Sequence, residues 1–416
     1  MPDPTERVVF TLQESELPTA RTAASRGLCD HCLGRLFAAR GHGYSNRERG
    51  ALMREAIGLG QEVAPQSCSL CLGLFARLEF FVTIAREKAA PWGHATYLVG
   101  TKVDHELERS EESLWSELSV AGESIRKELN REIGKRYGDA TGTQADLKAP
   151  DIAILVDTRF DFAEVSPNPL HLYGRYRKLS REIPQTRWPC KQCQGRGTGC
   201  PKCGGSGKMY QTSVEELVGG AALAASGGEE HSFHAMGRED IDARMLGRGR
   251  PFVIEITKPR RRTLDLEALQ ATVNADPGGR IEVSGLRRST AAEVEEVSTN
   301  HPEKSYQAGV RCDSGLEGIE EALRALTLVE LAQRTPVRVS HRRADMVRKK
   351  AVVSAELVSV SADSREAVIN IRASAGAYIK ELVHGDQGRT SPSIAGLLAR
   401  PVEVVWLDVL ELHDQE

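Results

Sequence analysis

Eight of the nine cysteines in this chain form four C-x-x-C pairs, a spacing that lets one turn direct two thiolates at the same ion. Two such turns complete a tetrahedral site of four sulfurs, which suits structural zinc and leaves no position open for catalysis. Free thiols or a redox dithiol are the alternatives, and whether each quartet holds its own ion stays open. We predict these zinc ligands: Cys29, Cys32, Cys68 and Cys71 in one set, Cys190, Cys193, Cys200 and Cys203 in the other.

A second candidate for chemistry is the stretch GREDIDARMLGRGRPFVIEI (237–256), which crowds carboxylates and guanidiniums into a loop before a strand-like apolar run. Glu239, Asp240 and Asp242 fall within four residues there. Either the loop is a salt-bridged corner or one carboxylate is held ionised for a reaction. Asp in a loop is often only a turn cap, so the pattern alone does not decide between the two.

Other segments of the C-terminal half could line a cleft with that loop. KSYQAGV offers Tyr306, whose ring could stack on a base, and GAYIKEL offers Lys380, a cation that could orient an aspartate. QRTPVRVSHRR (333–343) is predicted as a basic strand and loop. Asp, Lys and Tyr beside a basic track suit chemistry on a base or sugar of RNA.

Charge is distributed in local clusters although the net charge of the 416 residues is only −3. The segments 175–187, 258–262 and 334–350 are rich in Lys and Arg, which favours a nucleic-acid track over three solvated faces. The N-terminus, MPDPTERVVF, lacks the pattern of a secretory signal, and no apolar run approaches 18 residues. We therefore expect a cytoplasmic protein with no membrane span.

The length predicts two domains. Up to about residue 210, a helical start, a long charged helix (106–138) and the strands TYLVGTKV, DIAILVDT and FDFAEV predict an α/β module carrying the zinc ligands. Beyond it, short alternating strands with one obvious helix (315–333) predict an α+β domain with a mixed or antiparallel sheet. The predicted domains are 1–210 and 211–416.

The loop residues Gly237 to Asp240 resemble the Gly-Arg-Thr-Asp motif of the pseudouridine synthases, with Glu239 in place of Thr. The longer string 237–256, KSYQAGV, GAYIKELVHGDQGRTSPSIAGLL and RYRKLSREIPQTRWPC resemble the archaeal and eukaryotic tRNA branch known as the tenth family. The resemblance spans most of the chain. It implies a C-terminal pseudouridine synthase fold with flanking helices, preceded by a THUMP-like RNA-binding module.

The resemblance also implies a function: isomerisation of uridine in the T-loop of tRNA, at position 54, 55 or both, by a monomer without an organic cofactor. Asp240 would be the catalytic residue, as nucleophile at C1′ or base at C2′. Tyr306 would stack on the base, Lys380 would pair with Asp240, and Leu397 or Leu398 would form an apolar wall. Backbone phosphates would be bound by Arg334, Arg338, Arg342 and Arg343. The remaining substrate-binding candidates are Arg238 and Tyr378.

Three alternatives compete with that function. Glu255 and Lys258 faintly suggest a metal-dependent nuclease, but the E-I-T-K spacing puts them on opposite faces of a strand. Another THUMP-class tRNA-modifying enzyme would need an ATP or methyl-donor loop, for which ASGGEEH (225–231) is a poor match. A non-catalytic zinc-containing tRNA-binding protein would explain the cysteines and the basic clusters, and would leave Asp240, Tyr306 and Lys380 without a role.

Overall fold

The computed structural model describes residues 10–41, 43–340 and 344–414. They form two compact units, each with its own hydrophobic core. The first unit runs to Pro169 and takes in Lys258–Arg262, whereas the second comprises Leu170–Thr257 and the chain from Thr263 onward. Among the described helices, none has the length and apolar character needed to cross a membrane.

The first unit is a mixed α/β structure, as predicted. Its four strands lie in the order β2-β1-β3-β4, with β1 parallel to β2 and β3, and β4 antiparallel to β3. Alternate residues of β1 and β3 are buried, which matches the period of two expected for a sheet with one covered face. The elements are α1 (Leu17–Ser25), α2 (Asp30–Arg35), α3 (Asn46–Ala56), α4 (Leu78–Ala89), β1 (Thr96–Lys102), α5 (His105–Leu118), α6 (Ile125–Thr141), β2 (Gln144–Ala145), β3 (Ile152–Asp157) and β4 (Phe162–Pro167).

The single long helix predicted over 106–138 is wrong, because the structure divides this segment into α5 and α6. Helix α5 ends at Ser119, which has a left-handed backbone (φ 53°) that no helix can continue through. Ser124 then starts α6, since its side chain accepts a hydrogen bond from the backbone N–H of Lys127. The helical pattern of charged residues correctly predicted helix on both sides of the break. The serine cap that begins α6 is too weak a sequence signal to predict the break itself.

The second unit is built on a ten-stranded mixed sheet. The order is β13-β10-β11-β12-β9-β14-β7-β5-β8, with β6 also paired to β7, and the β14–β7 pair is parallel. Helices flank this sheet, which confirms the predicted α+β class. The elements are β5 (Leu170–Lys178), α7 (Val214–Ser226), β6 (Glu230–Ala235), β7 (Ala243–Thr257), α8 (Leu266–Asn274), β8 (Ile281–Arg288), α9 (Ala291–Thr299), β9 (Lys304–Arg311), α10 (Ile319–Leu326), β10 (Glu330–Arg334), β11 (Val347–Val360), β12 (Glu366–Ala373), α11 (Ile379–His384), β13 (Thr390–Ser391), α12 (Ile394–Leu398) and β14 (Glu403–Leu412).

The compact units divide at residues 169 and 170, upstream of the boundary expected near 210. Strand β5 is the reason, because it lies in the middle of the large sheet between β7 and β8. Its sequence, LHLYGRYRK, alternates buried and half-buried residues, and Tyr176 and Lys178 are among the buried ones. The second cysteine quartet, which follows β5, therefore belongs to the second unit.

The helix predicted over 315–333 is shorter than expected. Only Ile319–Leu326 is helical, and Glu330–Arg334 forms β10, which pairs with β11 and β13. Residues 327–329 form a turn between them, so the chain reverses into the sheet. In β10, alternate residues are buried against the sheet core. The helical pattern of the preceding residues hid this strand pattern in the sequence.

Candidate active site

Residues 236–242 form a loop between β6 and β7, which we call the GRED loop after Gly237–Asp240. A buried polar network fixes its shape. The side chain of Glu239 is fully buried and accepts hydrogen bonds from Arg250 Nε at 2.9 Å and from the Tyr176 hydroxyl at 2.9 and 3.1 Å. Gln185 donates to the Tyr176 hydroxyl at 2.7 Å and to the Gly237 carbonyl at 2.9 Å. Burial, and then the charge of Glu239, raise the pKa of Tyr176 well above its ordinary value, so the hydroxyl stays a donor.

Lys178 forms hydrogen bonds to the backbone of the same loop. Its ammonium is buried and donates to the carbonyls of Ile183 at 3.0 Å, Asp240 at 3.2 Å and Ile241 at 2.6 Å. Burial lowers the pKa of Lys178 to about 8, although nearby carboxylates oppose that shift. Lys178, which the sequence placed in a basic segment suggested to bind RNA, therefore stabilises the loop.

The carboxylate of Asp240 faces outward from this braced loop and meets two cations. Arg338 Nη1 lies 3.0 Å from Oδ1 and 2.9 Å from Oδ2, so one nitrogen contacts both oxygens. Lys380 Nζ lies 3.6 Å from Oδ2. The Asp240 side chain remains 36% exposed, which leaves part of the carboxylate accessible to a ligand.

Lys380, the partner predicted for Asp240, is the more distant of these two cations. Lys380 Nζ lies 2.7 and 2.6 Å from the two oxygens of Asp242, so its main ion pair is with that neighbour. Partial burial alone would raise the pKa of Asp242, but the hydrogen bond and charge of Lys380 outweigh it and lower that pKa. The close partner of Asp240 is Arg338, which the sequence suggested as a phosphate ligand.

Arg338 is itself anchored from behind by Glu381, a buried residue of α11. The Nε and Nη2 atoms of Arg338 lie 2.7 and 3.3 Å from the Glu381 oxygens. Burial by itself lowers the pKa of Arg338, but the bond to Glu381 and the charge of Asp240 raise it above the ordinary value. The guanidinium is therefore permanently charged and oriented by one carboxylate toward another.

Tyr306 lies on β9, opposite Ile371 of β12 and Val409 of β14, and is 8% exposed. Burial, with a smaller contribution from the charge of Asp240, raises the pKa of its hydroxyl to about 12. The phenol is thus protonated at neutral pH. Arg338 and Lys380 meet Asp240 through direct ion pairs, whereas Tyr306 is linked to Asp240 only by the effect of that charge on its pKa.

The other predicted substrate contacts are spread around this centre. Arg238 is exposed, with its guanidinium carbon 5.1 Å from the centroid of the Trp188 ring. Tyr378 starts α11, and its backbone exchanges hydrogen bonds with the Gln333 side chain at 2.9 and 3.0 Å. Leu397 is 42% exposed on α12, whereas Leu398 packs against the core. Arg342 and Arg343 lie outside the described residues.

In the basic segment 175–187, which the composition suggested as part of a nucleic-acid track, several cations are internally paired or buried. Arg175 lies 2.8 Å from Asp414, Arg181 lies 2.6 Å from Asp408, and Lys178 is buried. In the 258–262 cluster, Arg262 is also buried and pairs with Asp151 at 3.3 Å within the first unit. Ion pairing between distant segments is invisible in a local count of charges.

Both cysteine quartets form compact clusters in which every pair of Sγ atoms lies within 4.8 Å. In the first, Cys29, Cys32 and Cys71 are fully buried in the core of the first unit, and the Cys29 N–H donates to Cys68 Sγ at 3.2 Å. In the second, the N–H groups of Gly197 and Gly207 donate to Cys193 and Cys203 Sγ at 3.3 Å. Four convergent sulfurs with backbone donors fit a tetrahedral soft-metal site such as zinc.

Comparison with known proteins covers nearly the whole chain. The family model described as "Pus10, C-terminal" matches residues 171–413, and "Pus10 THUMP domain, archaeal" matches 81–157. The protein named tRNA pseudouridine synthase Pus10 from Halorubrum lacusprofundi is 41% identical over 411 residues, covering 95% of this chain and 96% of the relative. The protein of the same name from Methanothrix thermoacetophila is 42% identical over 419 residues, covering 92% and 91%.

A solved Cbf5-Nop10-Gar1 complex also matches, at 15% identity and a TM-score of 0.29, over 48% of this chain and 44% of the matched one. The two family models describe both units, and the full-length relatives are well above the identity at which membership is in doubt. The chain therefore belongs to the Pus10 family of tRNA pseudouridine synthases.

Proposed function

We propose that this protein isomerises uridine to pseudouridine in the T-loop of tRNA, at position 54, 55 or both, with Asp240 as the catalytic residue. The observation that carries the proposal is the Asp240 carboxylate itself. It is partly exposed on a loop braced by buried groups, and it is oriented by Arg338 near the buried ring of Tyr306. A turn cap or surface ion pair would need none of that support.

The reaction breaks the C1′–N1 bond of the target uridine and joins C1′ to C5 of the same base. The uracil rotates between the two steps, C5 loses its proton and N1 gains one, so the formula of the nucleotide is unchanged. No oxidant, hydrolytic water or ATP enters this balance. The target must first leave its stack, which costs about a few kcal/mol and places the ribose beside Asp240.

Each residue of the site has a part in this scheme. Asp240 acts on the ribose, either as nucleophile at C1′ or as base at C2′. The ring of Tyr306 stacks on the uracil. Its hydroxyl, with a pKa of about 12, can take the C5 proton only by passing its own proton on in the same step, in the direction of N1, which gains one. Arg338 orients the Asp240 carboxylate, and the buried network around Glu239 keeps the loop from moving during base rotation.

We also propose that each cysteine quartet holds one zinc ion with a structural role. Four thiolates complete the tetrahedral coordination of the metal, so no open position remains for substrate. The metal supplies folding energy to the segments that carry the sulfurs. That the protein works as a cytoplasmic monomer stays a prediction.

The test is to incubate the protein alone with an unmodified tRNA transcript and map pseudouridine chemically at single-nucleotide resolution. We expect modification in the T-loop, and transcripts with cytidine at position 54 or 55 identify the target. Asp240→Asn should abolish isomerisation while tRNA affinity stays within about tenfold. Asp363→Asn, on an exposed turn of the same unit, is the matched control and should remain active.

Persistent activity of Asp240→Asn would refute the role of this carboxylate. Tight tRNA binding by the wild-type protein without any isomerisation would instead support the non-catalytic alternative.

A further inference from the structure

The second cysteine quartet lies in a hairpin, residues 187–208, that carries cations and no carboxylates. The sequence between these limits contains no Asp or Glu. A zinc ion with four thiolates would add a charge of about −2, which leaves the hairpin net positive. Its five cations are Arg187, Lys191, Arg196, Lys202 and Lys208.

Three of these cations are exposed and form no ion pair among the described residues: Lys191, Arg196 and Lys202. Other exposed arginines of the second unit do have carboxylate partners, for example Arg287 with Glu293 at 2.5 Å and Arg311 with Glu366 at 2.6 Å. On the hairpin, Lys208 is the paired exception, because its ammonium lies 2.5 Å from Glu216 of α7. Unpaired cations on an acid-free surface are available for an anionic partner.

The hairpin also holds these cations at fixed spacing. The two C-x-x-C turns of the hairpin are in close contact. A Cβ at Gly197 would lie 2.4 Å from the Gly205 carbonyl oxygen, and one at Gly207 would lie 2.4 Å from the Gly195 carbonyl oxygen. Gly197 and Gly207 both have left-handed backbones, with φ 76° and 69°. Such interlocking, together with the sulfur cluster, makes the hairpin a rigid platform rather than a flexible basic loop.

The base of the hairpin is joined to the GRED loop. Gln185, just before the hairpin, donates to the Gly237 carbonyl at 2.9 Å. Arg238, two residues before Asp240, lies 5.1 Å from the centroid of the Trp188 ring, and Trp188 packs edge-on against Tyr210 with ring centroids 5.7 Å apart. The base of the hairpin therefore contacts the loop that carries Asp240, next to the position at which the target uridine would bind.

We propose that hairpin 187–208 is an RNA-binding arm whose cations Lys191, Arg196 and Lys202 contact backbone phosphates of the substrate beyond the target uridine. The inference rests on the proposed function for the nature of its partner, which is RNA. Phosphate contacts of this kind set affinity and register without reading sequence. The arm would therefore contribute to RNA binding and to KM rather than to the bond exchange at Asp240.

The test is the triple variant Lys191→Gln, Arg196→Gln, Lys202→Gln, with zinc content confirmed by elemental analysis. Plotting log Kd for unmodified tRNA against log salt should give a slope smaller by about 2 to 3 than for the wild type, since each lost phosphate contact removes about 0.7 to 0.9. KM should rise about tenfold at fixed salt, and kcat should change less than about twofold. Lys191→Arg, Arg196→Lys, Lys202→Arg should restore the slope.

The matched control replaces three exposed arginines of the same unit with Gln: Arg311, Arg324 and Arg365. Arg311 ends β9 at the opposite end from Tyr306, so this variant should keep the wild-type slope and KM. If the hairpin triple keeps them too, the arm is overturned while isomerisation by the wild type stands. If the wild type isomerises no uridine but the triple still loses slope, the proposed function fails and the arm stands. Should the triple lose zinc, the three single variants decide, each expected to lower the slope by about 0.7 to 0.9.

Discussion

Replacing Arg338 with glutamine tests whether this guanidinium aims the Asp240 carboxylate or binds RNA phosphates. Glu381, whose side chain is only 2% exposed, would lose its charged partner. Leaving a buried carboxylate unpaired costs about 1–3 kcal/mol, and we take about 2 because Arg338 is itself 37% exposed. At about 2–4 °C per kcal/mol for a unit of this size, the melting temperature should fall by roughly 4–8 °C.

We expect Arg338→Gln to lower kcat independently of its effect on stability. Among the described residues, no other cation lies as close to Asp240 as Arg338 Nη1 at 2.9–3.0 Å, since Lys380 lies 3.6 Å away and pairs mainly with Asp242. A displacement of about 1 Å at a reacting group costs up to about 10²-fold, so kcat should fall by about 10- to 100-fold. KM for tRNA should stay within about threefold. Single-turnover pseudouridine formation measures kcat directly.

A double variant separates the two effects. In Arg338→Gln with Glu381→Gln, the buried charge is gone and two amides can hydrogen-bond, so most of the lost melting temperature should return. The kcat should not recover, because Asp240 still lacks its guanidinium. Arg334→Gln is the matched control, since Arg334 is an exposed arginine of the same basic segment that pairs with Asp345.

The opposite pattern would refute this reasoning. If Arg338 binds a phosphate, Arg338→Gln would leave kcat unchanged, raise KM and reduce the salt slope of tRNA binding by about 1.

Three further predictions follow from the same geometry. Above about pH 8, Lys178 becomes neutral and loses one of its three donor bonds, two of which go to the GRED loop, so kcat should fall with an apparent pKa near 8. The folded pKa is below the ordinary value of about 10.4, so the unfolded state binds more protons and the free energy of unfolding rises between about pH 8 and 10. A pH profile of kcat should therefore show activity lost where calorimetry shows no loss of stability. Tyr306→Phe should keep tRNA affinity and lower kcat by about 10²-fold or more if the hydroxyl transfers a proton, as rapid-quench assays would reveal. Serine at Cys190 and Cys203 should halve the zinc content and leave the circular dichroism of the large sheet unchanged, whereas chelating the buried first quartet should unfold the first unit.

Sequence reasoning succeeded where the determining contacts are local. The spacing of the four C-x-x-C pairs fixes which sulfurs can converge, and both quartets form as predicted. A continuous apolar run, DIAILVDT, identified β3, and the start of α7 is marked by Ser213, which caps it. In each case a few neighbouring residues determine the geometry.

It failed where a residue's partner is distant in the chain. Nothing near Arg338 indicates that Asp240, 98 residues away, is its partner, and nothing near Lys178 indicates that its ammonium is buried under the loop. Strand β5 was missed as part of the large sheet for the same reason, because its arginines and lysine suggested an RNA-facing surface. Composition measures charge, but only the fold shows whether that charge has already found a partner.

The three carboxylates of the GRED loop illustrate how the fold assigns roles that the sequence leaves open. Glu239 is fully buried and is bonded to both Arg250 and Tyr176, so it cannot reach a ribose. Asp242 has both oxygens within 2.7 Å of Lys380 Nζ, and its side chain is 65% exposed. Asp240 alone among the three is held by one guanidinium nitrogen while more than a third of its side chain stays open to a ligand. We propose that the burial of Glu239 and the pairing of Asp242 with Lys380 leave Asp240 as the carboxylate that acts on the ribose.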